Sequence, residues 1–373
     1  MQNAAQSWLV YRLTHSELLL GTAWFCAQIA VFALGPLGGM VADRHSRRTI
    51  VIITQTLSML QAFAMAALTI SGRVQVWHVF ALAGALGVIN AFDMPARQAL
   101  VIEMTNREDL LNAISLNSAV FNAARVVGPG VAGLLVAVAG EGTCFLLNGV
   151  SFLAVIGCLA LMHLAPFEPK PTPSLLHHLT GGFRYAGGDS ALRRVLLVMG
   201  AATFAGMPGL VLMPFFADAI FHRGSAGYGV LMSAMGIGAV VGTLGLARRT
   251  RAHGLANVMA ISGLITGATY IMFAVSPQYY LSLALMPVIG YSVMRQMASA
   301  NTTIQILIPE EYRGRIMALY AMTVVGLGPF GSLVAGALAH ACGARATMAM
   351  GGLLALAASS AFALSLRRDP IAA

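Results

Sequence analysis

Long apolar runs separated by short polar gaps dominate the chain from end to end. Eleven complete runs lie near 18–41, 49–70, 76–95, 112–139, 143–163, 195–217, 227–247, 255–275, 279–298, 314–338 and 346–366. They are apolar on all sides, so no amphipathic period orients them. Length decides their type, because a membrane helix needs about 20 apolar residues and a membrane barrel strand only about ten alternating ones. The pattern predicts an all-α polytopic membrane protein whose first partner is the lipid bilayer.

Composition agrees. Of 373 residues, 58% are hydrophobic and 9% charged, with a mean hydropathy of +0.79. Soluble domains carry about 25% charged residues, so a soluble enzyme, a nucleic-acid binder and a disulfide scaffold are excluded for the chain as a whole. The net charge of +9 does not reverse this, since the basic residues are scattered over many gaps. Cys26, Cys144, Cys158 and Cys342 lie in or beside apolar runs without CxxC spacing, which reads as small apolar filler. The first eight residues lack the charged start and apolar core of a signal peptide.

Charge does orient the spans. Alternate gaps hold sixteen Lys and Arg residues, beginning with Arg44, Arg47 and Arg48 and ending with Arg367 and Arg368. The intervening gaps hold four, Arg12, Arg73, Arg223 and Arg345, and Arg125 and Arg295 fall inside spans. Basic residues accumulate on the cytoplasmic side, so the Arg-rich gaps and the C-terminus are expected there. Trp8, Tyr11, Trp77, Tyr228, Tyr279 and Tyr280 fall at the opposite ends, as interfacial aromatics do.

Residues 1–11 read as the outer half of a further helix, since at 1.5 Å per residue they cover only about half of a ~30 Å hydrocarbon core. Residues 164–194, with Pro166, Pro169, Pro171 and Pro173, read as a cytoplasmic linker. The expected units are an N-terminal bundle over 1–163, with its first helix incomplete, and a C-terminal bundle over 195–373. The halves echo each other: Gly39 to Arg48 follows the second helix and Gly242 to Arg251 the eighth, while Gly128-Pro129 and Gly328-Pro329 mark the fifth and eleventh. Parallel repeats of this kind underlie rocking transporters.

Gly39-x-x-x-Asp43-Arg44-x-Ser46-Arg47-Arg48 resembles the loop motif of the major facilitator superfamily, with Ser46 where that pattern has Gly. Phe92-Asp93-Met94-Pro95-Ala96-Arg97, Asn112 to Asn117, Ala124-Arg125-Val-Val-Gly128-Pro129-Gly130 and Arg313-Gly314-Arg315 are similar to the branch of enterobactin and macrolide exporters. The resemblance covers essentially the whole chain. It implies a major facilitator fold of eleven full helices plus half of the first, in a bacterial inner membrane, acting as a monomeric efflux antiporter of amphiphilic small molecules, with protons as the candidate counter-ion. It also implies an inner gate in which Gly39, Asp43, Arg44, Arg47 and Arg48 meet the helix end at Arg313 and Arg315.

The family's cavity lies between helices one, four, seven and ten, which makes Gln2, Asn3, Gln6, Asn90, Asp93, Arg97, Arg295 and Gln296 candidates for substrate or coupling. Gln28 on helix two and Asn117, Asn122 and Arg125 on helix five join them, because a polar group facing lipid has no partner. Some of these are expected to be interhelical hydrogen bonds only. Arg125 is open to three readings: bonds to backbone carbonyls, an acid on helix one, or an anionic substrate group. Gly128, Pro129, Gly130 and Gly133 read as tight packing, as a flexing point, or both. The 21 Met residues read as filler or as an adaptable wall.

No cofactor is expected. HExxH, GxSxG, a Walker sequence and carboxylate pairs within spans are absent from the sequence, which argues against an enzyme. A non-transporting remnant or regulatory membrane protein remains the alternative. Asp93 and Asp218 are the membrane-proximal acids, and neither falls at a span's midpoint.

Overall fold

A computed structural model describes residues 1–105, 110–162, 184–247, 254–309 and 312–371. Within these, the side chains of residues 102, 110–119, 121, 122, 125, 126, 246, 247, 313 and 314 lie outside the description. Every regular element in the described residues is helical.

Helix α1 (Gln2–Thr14) ends where His15 turns left-handed at φ 47° and returns its N–H to Tyr11. The Ser16 side chain then caps α2 (Glu17–Arg44) by accepting the N–H of Leu19. After α3 (Arg47–Ile70) and α4 (Val76–Glu103), one run over Leu110–Leu161 breaks at Gly140. Its φ of 78° and ψ of 167° suit glycine alone, and separate α5 (110–139) from α6 (141–161). Helix α5 keeps its helical backbone across Pro129.

The second half begins at α7 (Ser190–Val211), whose first amides are capped by Asp189. It continues through Met213–Phe215 and a wider π turn at Phe216–Ile220. Then follow α8 (Gly224–Ala247), α9 (Leu255–Val275) and α10 (Tyr279–Leu307). Helix α11 runs from Arg313–Ala321 through a π turn at Met322–Gly326 into Leu327–Cys342, and α12 is Ala344–Arg368. The linker expected over 164–194 gives way earlier, because 184–188 is already helical and Ser190 starts α7; residues 163–183 lie outside the description.

Nine helices among the described residues are long and apolar enough to cross a membrane, with 127–161 counted once. Helix α10 is not among them, and its second half carries Arg295, Gln296, Asn301 and Gln305. Leu57, Leu60, Leu153, Ile261 and Leu353 stand exposed on the helix surfaces. So much outward apolar surface suits lipid, where helices already satisfy their own backbone groups.

Helix α2 packs on α4, and α3 on α4 and α6; in the second half α8 and α9 pack on α10, and α9 on α12. The halves meet along two seams, α2 against α11 and α5 against α8. In the first, Gly21 lies against Gly336, and Ser332 donates to the Gly21 carbonyl at 3.2 Å. In the second, a Cβ on Gly229 would stand 2.8 Å from the Gly133 Cα. Both seams lie toward the Arg-poor end of the helices. There Tyr11 Oη also donates to Asp218 Oδ2 at 2.9 Å, and Trp8 stacks on Tyr228 at 6.3 Å.

The α5–α8 seam makes a direct prediction. Gly229→Leu must push the helices apart, at a cost of about 1–3 kcal/mol for overpacking. A melting temperature several degrees lower in detergent is expected, whereas no change would contradict the close approach.

Candidate functional site

A cleft in the first half collects side chains from α1, α2 and α4. Asn3, Gln6 and Ser7 reach it from α1, Trp24 and Gln28 from α2, and Asn90 from α4, with Ala23, Ala27, Leu86 and Gly87 between them. The helical repeat explains the grouping: positions 3, 6 and 7 share one face of α1, and 24 and 28 one face of α2. Gly87 lets α4 settle on the backbone of Ala27, which draws Asn90 toward α2. Four of the sequence candidates, Asn3, Gln6, Gln28 and Asn90, therefore line one cleft. Its lining carries no formal charge. Trp24 Nε1 is buried there without a hydrogen-bond partner among the described residues, which leaves a donor unsatisfied.

Gln2 behaves differently from Gln6. Its Nε2 donates to Gln61 Oε1 at 2.5 Å, its Oε1 accepts from Asn148 at 2.7 Å, and Gln61 donates on to the Leu82 carbonyl at 3.1 Å. Gln2 thus ties α1 to α3 and α6 and does not line the cleft. Gln296 is buried where α10 meets Gly263 of α9 and Ser359 of α12. Arg295 stacks over Tyr291 and donates to its hydroxyl, and it shares a side of α10 with the exposed Leu281 and Val288. Neither residue reaches the cleft.

Asp93 is 1% exposed and sits at the centre of a polar cluster. It accepts from Thr54 Oγ1 at 2.8 Å and Gln55 Nε2 at 2.9 Å, and it pairs with Arg97 one turn on. A carboxylate taken out of water needs such donors. Sequence reasoning anticipated Arg97 but missed Thr54 and Gln55. The signal was present on α3, where Thr54, Ser58 and Gln61 follow at helical spacing and are all buried. Glu141 was missed as well; it is buried and holds Arg12 at 2.7 Å.

The loop after α2 is engaged within its own half. Arg47 pairs with Glu103 of α4 at 3.2 Å, and Arg48 donates to the Leu159 and Ala160 carbonyls of α6 at 2.7 and 2.6 Å. Arg44 is exposed and Asp43 half-buried, with no polar contact of Asp43 among the described residues. Arg315 stacks on Tyr312, at 5.8 Å. No contact of Asp43 with Arg315 occurs among the described residues, and the Arg313 side chain, the other half of the expected meeting, lies outside the description. So do the side chains of Asn117, Asn122 and Arg125. Gly130 and Gly133 face Ser233 and Gly229 of α8, so they serve close packing; Gly128 does not touch α8.

Comparison with known proteins places this architecture. A family model described as "Transmembrane secretion effector", one of the major facilitator models, matches residues 1–370. The chain belongs to the major facilitator superfamily. It is 28% identical to the multidrug efflux pump Tap of Mycolicibacterium fortuitum over 91% of this chain and 85% of that protein. The staphyloferrin A transporter of Staphylococcus aureus is 24% identical over 95% and 89%, and the enterobactin exporter EntS of Shigella boydii 24% over 88% and 79%. The fold matches the nucleoside transporter NupG with a TM-score of 0.74 at 17% identity, covering 98% of this chain and 95% of that one. A bacterial homologue of the lysosomal transporter Spinster, in an inward-facing and occupied conformation, matches at 0.73 and 13%, covering 98% and 94%. The chain is thus a multi-pass membrane transporter and not an enzyme.

The two glutamines of α1 separate structure from recognition. Gln2→Leu removes two interhelical hydrogen bonds, each worth about 0.6 to 2 kcal/mol in a membrane, and should lower the melting temperature. Gln6→Leu should leave it within a degree or two while weakening transport. Equal melting losses for both would contradict the division.

Proposed function

We propose that this major facilitator protein exports amphiphilic small molecules by alternating access, using the cleft of α1, α2 and α4 as the substrate site. The observation that carries the reading is one cleft lined by Trp24 and four amide side chains, with the Trp24 indole N–H buried and unpartnered among the described residues. A neutral lining of donors and acceptors next to an aromatic side chain suits the hydrogen-bonding part of a ligand, and with a volume of about 40 Å³ the cleft must widen to admit an apolar body as well. The relatives' cargoes, drugs in one case and siderophores in others, are small molecules, which supports a cargo of that size.

The Arg-rich ends are read as cytoplasmic, with the C-terminus among them, because sixteen basic residues against four orient the helices. In this orientation the Gly21–Gly336 and Gly133–Gly229 seams close the outer side. Tyr11–Asp218 and Trp8–Tyr228 act as its latch. The state is one that loads from the cytoplasm. Asp93 is the group proposed for the coupling, supported by its place as an acid buried within the helices at 1% exposure.

Accumulation of dyes, antibiotics and catecholates in an efflux-deficient bacterial host tests the function. Expression should lower accumulation, a protonophore should restore it, and Asp93→Asn should remove the protonophore-sensitive part. Lowered accumulation that ignores both the protonophore and Asp93→Asn would retain export and overturn the coupling. No effect on any compound by protein shown to be folded in the membrane would overturn export.

The latch gives a separate test. Tyr11→Phe removes one hydrogen bond across the halves, worth about 1 kcal/mol, and should raise labelling of a cysteine at Ser7 by an impermeant thiol reagent added from outside about fivefold. Unchanged labelling would show that the bond does not hold the outer side shut.

A further inference from the structure

A second cleft opens at the Arg-rich end of the second half, where the start of α7 meets the end of α12. Ser190, Arg193 and Arg194 line it from α7, and Leu364, Ser365 and Arg368 from α12, with Ala361 and Asp369 at its edges. Nothing in the transport reading uses it.

Arg194 builds the floor. It donates to the Ser190 carbonyl at 3.2 Å, to the Ser365 and Asp369 carbonyls at 3.2 and 2.9 Å, and to Asp369 Oδ2 at 2.8 Å. Its donors hold the two helix ends together and neutralise Asp369. Asp189, the other nearby acid, is occupied in capping the Ala191 and Leu192 amides. Arg193 and Arg368 are exposed on the two walls and have no partner among the described residues. Two free guanidinium groups therefore face a site whose two acids are already committed.

The surroundings distinguish a lipid from a dissolved anion. One turn into α7 from Arg193 lies Leu197, 67% exposed, and one turn into α12 from Arg368 lies Leu364, 57% exposed. Residues four apart share a helix face, so on the α12 wall Leu364 lies beneath Arg368 within the cleft, and on α7 Leu197 continues the face of Arg193 just beyond the cleft's lining. A dissolved phosphate would engage the arginines and leave the leucines idle. A phospholipid engages both, with its phosphodiester between the guanidinium groups and an acyl chain along the leucines.

We propose that this cleft binds the head group of an anionic glycerophospholipid in the leaflet at the Arg-rich end, with Arg193 and Arg368 as its ligands and Arg194 as the positioning residue. The site is independent of what the transporter carries.

Native mass spectrometry of the purified full chain with phosphatidylglycerol, phosphatidylcholine or inorganic phosphate tests this. Phosphatidylglycerol should be retained in preference to phosphatidylcholine. Arg193→Gln with Arg368→Gln should weaken its apparent affinity about thirtyfold, or about fivefold for each charge removed from an anionic lipid contact. The two arginines are exposed and Arg194 is untouched, so the variant should melt within a degree or two of the original in detergent; phosphatidylglycerol should raise the melting temperature of the original only. Equal retention of the two lipids, or undiminished binding by the double variant, would overturn the proposal. Inorganic phosphate giving the full melting shift would replace the lipid by a free anion. Should the double variant not fold, Leu364→Ser alone should weaken the lipid and leave inorganic phosphate unaffected, and an unaffected lipid would count against the acyl contact.

Discussion

A bilayer core offers no water to a polar group, and that constraint organises this molecule. It forces the backbone into helices that satisfy their own amides, and it favours inward polar side chains that meet a partner, although Ser233, Gln296, Ser299 and Thr303 of the second half have buried polar atoms without one among the described residues. Gln2 meets Gln61 and Asn148; Asp93 meets Thr54, Gln55 and Arg97; Arg12 meets Glu141. These bonds tie α1, α3, α4 and α6 of the first half to one another. What they leave over is informative, and the leftover in the cleft is the Trp24 indole N–H beside Asn3, Gln6, Gln28 and Asn90.

The contact between halves is of a different kind. Among the described residues its polar bonds are Ser332 on Gly21, Tyr11 on Asp218 and Ser7 with Tyr228, and the rest is close packing of small residues and stacked rings. Helix association in lipid gains from backbone proximity, because there is no hydrophobic drive between helices already solvated by hydrocarbon. A seam of glycines with few directional bonds suits a surface that must part and re-form. Glycine packing recurs inside each half as well, at Gly87 on Ala27 and Gly238 on Pro287, so what sets the seams apart is their few polar bonds among the described residues and not their small residues.

Much of this was legible in the sequence because its signals are local. Helix number and spans follow from uninterrupted apolar runs, and the α5–α6 break from a glycine whose φ no side chain favours. Asn3, Gln6, Gln28 and Asn90 were legible as candidates because amides are scarce within apolar helices. Their neighbour Gln2 was not separable from them, since the difference is which way α1 is rotated, and α1 is set by the Gln61 and Asn148 contacts from 59 and 146 residues away. Gln296 and Arg295 lie away from this cleft for the same reason on α10. Trp24 passed as an apolar residue in an apolar run; only its unpaired nitrogen distinguishes it.

The central claim is that the α1–α2–α4 cleft holds the transported molecule, and Trp24 reports on it directly. Tryptophan fluorescence of purified protein titrated with a compound it exports should fall in a saturable way, and Trp24→Phe should abolish the change although Trp8 and Trp77 remain. Saturable quenching that survives Trp24→Phe would place the substrate elsewhere and contradict the account.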